Sequence, residues 1–534
     1  MTEQLLLGLD VGTTGVKGLI INVKGEVLAM ASSDYPLSTP MPNWAEQDPE
    51  DWWNATVRVV RKLTRSSGVT AKDIAGVGIS GQMHSLVLLD RNLAVLRPAI
   101  LWCDTRTDRE CRWINEKIGL ERLRETVANR ALEGFTLPKI LWVRSNEPAI
   151  YDRIHKVLLP KDYIRFRMTG VISTDVSDAS GTLLLDVRKR VWSEPMLSAA
   201  GIPAEWLPQV IESTDIGGRI SAAAASASGL IAGTPVVGGG GDNACAAVGT
   251  GVVKKGRLLA SIGTSGVVLA HIDSMKGDPG MRVHTFCHSV PRCWYLIGVV
   301  LMAGGAFRWY KETFGQSEVL AARGNGLDAY DVLTEEAARI PAGSEGLFFQ
   351  PYLAGERTPH QSAAARAGFI GATLRHTKNH FTRAVLEGIT YGMNDSLEII
   401  RSLGQTVGQI RLSGGGAKSP FWRQLQADTY GSEVAVVNSS EGPAYGAALL
   451  AGAGTNVYKN IIEAVEQTIR VVETREPDMK AADRYKEFYG IYRELYPSLT
   501  DIYSKIQRQF VPSPDFGSEQ KPVLDHPNSM EKRS

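Results

Sequence analysis

Two distant stretches of the chain carry the same figure: an apolar run of strand length, a glycine–threonine turn and a second apolar run. Residues 5–10 and 16–22 read as strands around Gly12-Thr13-Thr14-Gly15, and 257–262 and 267–271 read as strands around Gly263-Thr264-Ser265-Gly266. Glycine tolerates the positive φ angles of a tight hairpin, so each turn can fold its two runs antiparallel. Lys24-Gly25 supplies a further turn before residues 26–31, which predicts a three-stranded antiparallel meander and not a βαβ unit. A repeat spaced this widely is no solenoid period. It predicts two similarly built halves facing each other, and 534 residues suffice for two large domains. We place them at residues 1–250 and 251–510. Residues 511–534, with prolines and no apolar periodicity, are expected to form a disordered tail.

Composition removes several classes of function. Lys plus Arg total 58 against 57 Asp plus Glu, a net charge of +1, so no global field draws nucleic acid or an anionic membrane. A hydrophobic fraction of 43% with 22% charged residues excludes a largely disordered chain. Met1-Thr2-Glu3-Gln4 lacks a basic region, and the apolar stretch 294–307 is short for a bilayer and broken by three glycines. Neither a secretory leader nor a membrane span is expected. Five cysteines without a CxxC pair fit free thiols in a reducing cytoplasm. His284, Cys287, His288 and Cys293 lie close in sequence but lack paired ligand spacing, which argues against zinc.

Between and after the two figures, residues 74–80 and 86–90 read as a strand pair followed by 96–102. Helical periodicity appears at 49–63, 106–118 and 137–143, and again at 379–403, 420–430, 445–453 and 482–509.

Five constellations can carry chemistry. In Asp10-Val11-Gly12-Thr13-Thr14-Gly15-Val16-Lys17 a hairpin can present several backbone N–H groups to one anion, with hydroxyls from Thr13 and Thr14 and charge from Lys17. The Asp10 carboxylate suits a metal ion or its bound water; as a bare turn the segment needs only an Asx hydrogen bond. Gly263 and Thr264 repeat the arrangement, so two donor loops can grip a phosphate tail from both sides of a cleft. Gly238-Gly239-Gly240-Gly241 ahead of Asp242 exceed what an N-cap requires. They bring backbone close to a ligand, with a carboxylate able to take a hydroxyl proton as that oxygen attacks phosphorus. Gly414-Gly415-Gly416-Ala417-Lys418-Ser419-Pro420 couples an N-cap, Ser419, to a glycine surface flat enough for a purine and ribose. Gln82, Met83 and His84, with Trp102, Asp104 and residues 44–49, can line a polyol pocket. No Gly-Lys dipeptide occurs, so there is no P-loop; the first turn lacks GxGxxG, and neither Ser80 nor Ser265 completes GxSxG.

LGLDVGTTGVKG, WAEQDPEDWW, GISGQMHSLVLLD, GGGGDNACAAVG, SIGTSG, MAGGAFRWYKE, PYLAGERTP and SGGGAKSPFWRQLQAD together resemble the FGGY family of carbohydrate kinases, in family order over residues 5–500. The resemblance implies an α/β chain of two actin-like, hexokinase-like (ribonuclease H-like) ATPase domains flanking a cleft. It implies Asp242 as catalytic base and Asp10 as a second catalytic carboxylate near a metal, holding the ion or its bound water. It places Gly12, Thr13, Thr14 and Lys17 in a first phosphate loop, Gly263 and Thr264 in a second, and Gly304, Gly415, Gly416 and Ser419 around the nucleotide. Gln82, Met83, His84, Trp102 and Asp104 would join Asp242 around the sugar. Met83-His84 stands where glycerol-phosphorylating members are expected to carry Arg-Glu, which favours a ketopentose. The implied activity is ATP- and Mg²⁺-dependent phosphorylation of D-xylulose at its terminal hydroxyl, in the cytoplasm, by a homodimer. D-Ribulose, glycerol and gluconate are alternative substrates; an ATP-driven actin- or chaperone-type protein and a sugar-sensing regulator are alternatives outside the kinases. Cys103 departs from the family, where a polar Asn is expected between Trp102 and Asp104.

Overall fold

The opening strands form in the expected order. In the computed structural model, which describes residues 4–510 except Ser67 and Ser440, β1 (Leu5–Val11), β2 (Gly15–Asn22) and β3 (Val27–Asp34) pair antiparallel in sequence. The tail expected at 511–534 lies outside the described residues. Every residue of β1 except Asp10 is buried, as in a strand covered on both faces. Its second edge is taken by β4 (Ile74–Gly81), which runs parallel to it. A parallel neighbour requires a crossover, and α1 (Pro49–Thr64) supplies it. The opening is therefore a meander with a βαβ unit attached, which corrects the expectation of a meander alone. Asp48 starts α1 by accepting from Glu50 N, and Pro49 occupies the first turn. With β5 (Ile216–Arg219) and β6 (Pro235–Val237) the sheet order becomes β5-β6-β4-β1-β2-β3, and Gly240–Gly241 also pair along β4.

Residues 74–81 and Val87–Leu89 do not pair with each other. The second segment pairs with Lys156–Leu158, and of 96–102 only Ala99–Ile100 is strand, against Glu46–Gln47. Alternation marks a strand but says nothing of its partner.

The second sheet repeats the first. β7 (Arg257–Ile262) and β8 (Gly266–Ile272) pair antiparallel; beyond them β10 (Trp294–Val300) pairs with β8, and β9 (His284–Cys287) lies on its outer edge. The apolar stretch 294–307 thus becomes β10 and the start of α3 (Gly304–Phe314). α4 (Lys378–Ser402) crosses to β11 (Gln409–Gly414), which lies parallel to β7, and α5 (Pro420–Tyr430) leads to the parallel β12 (Glu433–Val437). β13 (Val471–Arg475) closes the order β9-β10-β8-β7-β11-β12-β13. Without β9, both sheets read as three antiparallel strands, two parallel and one antiparallel. This duplicated α/β topology is the actin-like, ribonuclease H-like fold that the resemblance implied.

Two helices exchange between the halves. α2 (Asp242–Gly249) follows the first sheet, yet Ala244 and Ala247 share a core with Leu259, Leu269 and Ile297 of the second. α6 (Gly442–Gly454) follows β12, yet it packs on β1 and β4, so closely that a Cβ at Gly8 or Gly78 would lie 1.9 Å from the Ala444 or Ala447 carbonyl oxygen. Tyr445 and Tyr458 donate their hydroxyls to the Gly25 and Val23 carbonyls at 2.8 and 3.0 Å. A division at 250/251 separates the strands of the two sheets but not these helices. α7 (Met479–Phe510) completes the fold, and among the described residues no helix is long and apolar enough to cross a membrane.

The α6 contact is backbone against backbone and has no flexible side chain to give way. Gly78→Ala is expected to cost at least ~3 kcal/mol, the upper range for overpacking, and to lower the melting temperature markedly. Gly490→Ala, in exposed helix with nothing within 4 Å of the new Cβ, is expected to stabilise by up to ~1 kcal/mol. Parallel thermal melts check both signs.

Candidate active site

The first hairpin is held by its carbonyls. Gly12 O accepts from the Tyr35 hydroxyl and from Gln82 Nε2 at 3.3 Å, Thr13 O from Gln47 Nε2 at 2.7 Å, and Thr14 O from Tyr35 N at 3.3 Å. With the oxygens drawn back into the protein, the N–H groups of Thr13 and Thr14 have no partner among the described residues. Such a loop is an anion receptor. Thr13 Oγ1 accepts from Trp102 Nε1 at 2.8 Å and keeps its own proton free to donate. Lys17, directly across the ladder from Asp10, is exposed and pairs with Glu441 at 3.0 Å, at the start of α6. The second hairpin repeats the device: Thr264 O accepts from Ala303 N at 3.0 Å and Gly305 N at 2.9 Å, while Thr264 N has no partner among the described residues.

Two carboxylates stand beside the first hairpin. Asp10 is the last residue but one of β1, aligned with Ser80 of β4, which in turn aligns with Gly240. Burial pushes its pKa up to about 6, against the Ser80 hydroxyl and Lys17, and its Oδ1 is buried with no hydrogen-bond partner. Asp242 opens α2 as the first helical residue; Gly241, not Asp242, is the N-cap. Burial, and then the charge of Asp10, push the Asp242 pKa up to about 7, opposed by Asn243 N and Nδ2 donating to Oδ1 at 2.7 and 2.9 Å. Each glycine before it meets a different wall: added Cβ atoms at 238, 239, 240 and 241 would lie 2.6, 2.0, 2.5 and 2.7 Å from Glu212 O, Ile79 O, Ser289 Oγ and Met83 Cγ. Gly239 also has φ +73°, which L side chains rarely adopt.

Met83 and His84 form a wall next to these carboxylates. Met83 Sδ lies 3.8 Å from both Asn243 Nδ2 and the Tyr295 hydroxyl. His84 sits at φ +68°, its carbonyl held by Thr136 Oγ1 at 2.9 Å and Lys139 Nζ at 3.2 Å. Burial lowers its pKa to about 3, so the ring is neutral. Nδ1 donates to Gly181 O at 2.6 Å, which leaves Nε2 as an acceptor.

Other residues expected at the sugar are engaged elsewhere. Asp104 is fully buried and accepts from Ala45 N at 2.6 Å and from Arg106 N, Nε and Nη2 at 3.0, 2.9 and 2.6 Å, so it is a structural ion pair and not a sugar ligand. Gln82 is buried behind the first hairpin, bonded to Gly12 and Gln47, and positions that loop instead. Residues 44–49 brace as well: Gln47 holds Thr13, and Trp44 lies under Arg106 at 3.6 Å. Cys103 is exposed and lines a separate cavity with Leu37 and residues 39–45.

Gly263, Thr264, Gly304, Gly415, Gly416 and Ser419 line one cavity of about 290 Å³, together with Tyr330 and Trp422. Ser419 caps α5 by accepting from Trp422 N at 3.4 Å, and Gly431 stops that helix in the left-handed conformation. Among the described residues, the cluster of metal-type donors is His271, Asp273 and Cys293, which shares only Cys293 with the run considered for zinc.

A buried ion cluster under Asp242 escaped the sequence reading. Lys161 Nζ lies 2.6, 2.8 and 3.5 Å from Asp162, Asp175 and Asp178, all fully buried. Ser177 Oγ donates to Asp175 at 2.6 Å and accepts from Gly241 N at 3.1 Å, and Arg165 donates to Gly238 O. The cluster thus fixes both ends of the glycine run. A Lys-Asp pair inside an apolar stretch, followed by Asp-Val-Ser-Asp, is the signal that would have found it.

Comparison with known proteins places the chain in a family. Residues 5–249 match the N-terminal domain, and 258–455 the C-terminal domain, of the FGGY family of carbohydrate kinases. The chain is 41% identical to the xylulose kinase of Bacillus subtilis over 504 residues, 94% of this chain and 99% of that protein, and 40% identical to that of Escherichia coli over 499 residues, 93% and 100%. The crystal structure of xylulose kinase from Rhodospirillum rubrum superposes with a TM-score of 0.86 at 29% identity, covering 94% of this chain and 100% of that one.

The raised pKa of Asp242 has a sign in stability. A carboxyl that binds its proton more tightly folded than unfolded adds stability below its unfolded pKa of about 4, and loses it as pH rises through about 7. Asp242→Asn is therefore expected to melt higher than the native protein at pH 8, by a margin that shrinks steadily toward pH 5. A margin independent of pH would show that the carboxylate is not held ionised against burial.

Proposed function

The chain belongs to the FGGY family of carbohydrate kinases, and we propose that it transfers the γ-phosphoryl group of ATP to the terminal hydroxyl of D-xylulose, giving D-xylulose 5-phosphate and ADP. The observation that carries this reading is the pair Asp10–Asp242 beside the first hairpin, with Met83 and His84 forming the adjoining wall. Full-length identity of about two residues in five to two xylulose kinases supports the ketopentose.

Asp242 accepts the proton of the attacking hydroxyl. Its pKa of about 7 makes it a stronger base than an exposed carboxylate while leaving it substantially ionised at neutral pH. The free N–H groups of Thr13, Thr14 and Thr264 would receive phosphate oxygens, and the cavity at Gly304, Gly415 and Tyr330 would take the adenosine. The orphaned Oδ1 of Asp10 is a hard oxygen donor of the kind that holds a divalent cation, proposed as Mg²⁺; when bound, the ion would neutralise polyphosphate charge. Positioning and charge stabilisation supply most of the acceleration in phosphoryl transfer, so the carbonyl-braced loops matter as much as the base. A cytoplasmic location, supported by the free state of all five cysteines, and a homodimer complete the proposal.

An ADP-release screen across ketoses, alditols and aldonates tests the substrate. D-Xylulose is expected to show the highest kcat/KM; a clear preference for D-ribulose, glycerol or gluconate would overturn the ketopentose assignment. Asp242→Asn is expected to lose about 10²–10⁴-fold in kcat while binding ATP normally, and the native rate is expected to rise with pH through about 7. Near-native turnover in the variant would remove Asp242 from its role.

A further inference from the structure

Arg357 belongs to the second half by sequence, yet it stands against the sugar wall of the first. A Cβ added at Gly134 would lie 3.4 Å from Arg357 Nη2 and 2.9 Å from the Trp102 carbonyl oxygen. Its charge is felt by His84, His284 and Lys139. Its backbone is firmly held. Glu356 accepts from Leu301 N at 3.0 Å and from Arg357 N at 2.6 Å, Thr358 N donates to Val299 O at 3.0 Å, and Gln361 N donates to Arg357 O at 2.7 Å.

The side chain itself is different. Arg357 is half-buried, and among the described residues its guanidinium has no hydrogen-bond acceptor and no ion pair; the carboxylates of Glu133 and Glu356 act on it only from beyond ion-pair distance. The nearby cation Lys139 is instead enclosed by the carbonyls of His84, Gly134 and Phe135. A half-buried charge without a direct partner is costly, and a well-anchored loop that presents one points to a ligand oxygen as its partner.

The Asp242 carboxylate and His84 Nε2 are acceptors, and the donors beside them, Asn243 Nδ2 and the Tyr295 hydroxyl, are directed at Met83 Sδ and Asp242. The two acceptors suit hydroxyls but cannot satisfy a carbonyl oxygen, which only accepts. A planar fork of donors can. We propose that Arg357 binds the carbonyl oxygen of the ketose, and so selects a ketose over the corresponding alditol. This inference rests on the sugar-kinase reading above.

The test compares D-xylulose with xylitol in native protein, Arg357→Met and Arg357→Lys, with melting temperature and ATP affinity as checks on folding. Arg357→Met is expected to raise KM for D-xylulose by about 10- to 100-fold, the loss of a charged hydrogen bond. Xylitol and ATP binding should stay within about twofold, so the ketose preference collapses by the same factor; Arg357→Lys, a point charge without the fork, should recover only part of it. An unchanged ketose-to-alditol ratio, or equal losses for both sugars, would overturn the inference while leaving the kinase reading intact. If native protein turns over no ketose, the kinase reading fails first; calorimetric binding of D-xylulose to native and variant protein then decides this proposal, and equal affinities overturn it.

Discussion

The contact between α2 and α6 organises the molecule. Added Cβ atoms at Gly446 and Gly249 would lie 1.9 and 2.0 Å from the Cys245 and Gly442 carbonyl oxygens, so the helices touch through bare backbone. Each helix also lies on the sheet of the opposite half. The halves therefore share a core instead of meeting across a loose linker, and the first turns of both helices are carried to the same region. Asp242 opens one helix. Glu441 precedes the other and reaches Lys17 beside the first hairpin. A rigid crossing of this kind holds reacting groups to the tolerance that phosphoryl transfer demands.

The second theme is charge kept under tension. Asp10 and Asp242 are both held above the ordinary carboxylate range, chiefly by burial, and the charge of Asp10 adds to the cost of ionising Asp242. Beneath them Lys161 and Arg165 meet three buried aspartates and tie down the glycine run at Gly238 and Gly241. Breaking such a cluster leaves an unpaired interior charge, so it enforces one geometry even where its net contribution to stability is small. The fold thereby concentrates its electrostatic strain around the carboxylate proposed to take the proton.

Much of the fold was legible in the residues because it depends on local signals. Turn glycines, apolar runs, the helical period at 49–63 and the Ser419-Pro420 start act within a few residues, and the structure forms hairpins and helices there. The glycine-lined cavity at Gly263, Gly304 and Gly415 was legible for the same reason: glycine marks close approach wherever it clusters. Strand partners were not. Val87–Leu89 joins Lys156–Leu158, and β4 lies beside β1 through a crossover, since pairing is settled by contacts far along the chain.

By itself the sequence determined the two-fold repetition, the phosphate-type turns and the placement of a carboxylate after four glycines, all consequences of backbone stereochemistry acting over short range. Only the tertiary structure decided which polar side chains remain free for a ligand. Asp104 is taken up by Ala45 and Arg106, and Gln82 by Gly12 and Gln47, whereas Arg357 crosses from the second half and arrives without a partner among the described residues. A hydrogen bond reaches about 3 Å, and the chain's path through space, not its order, determines which groups come within that reach.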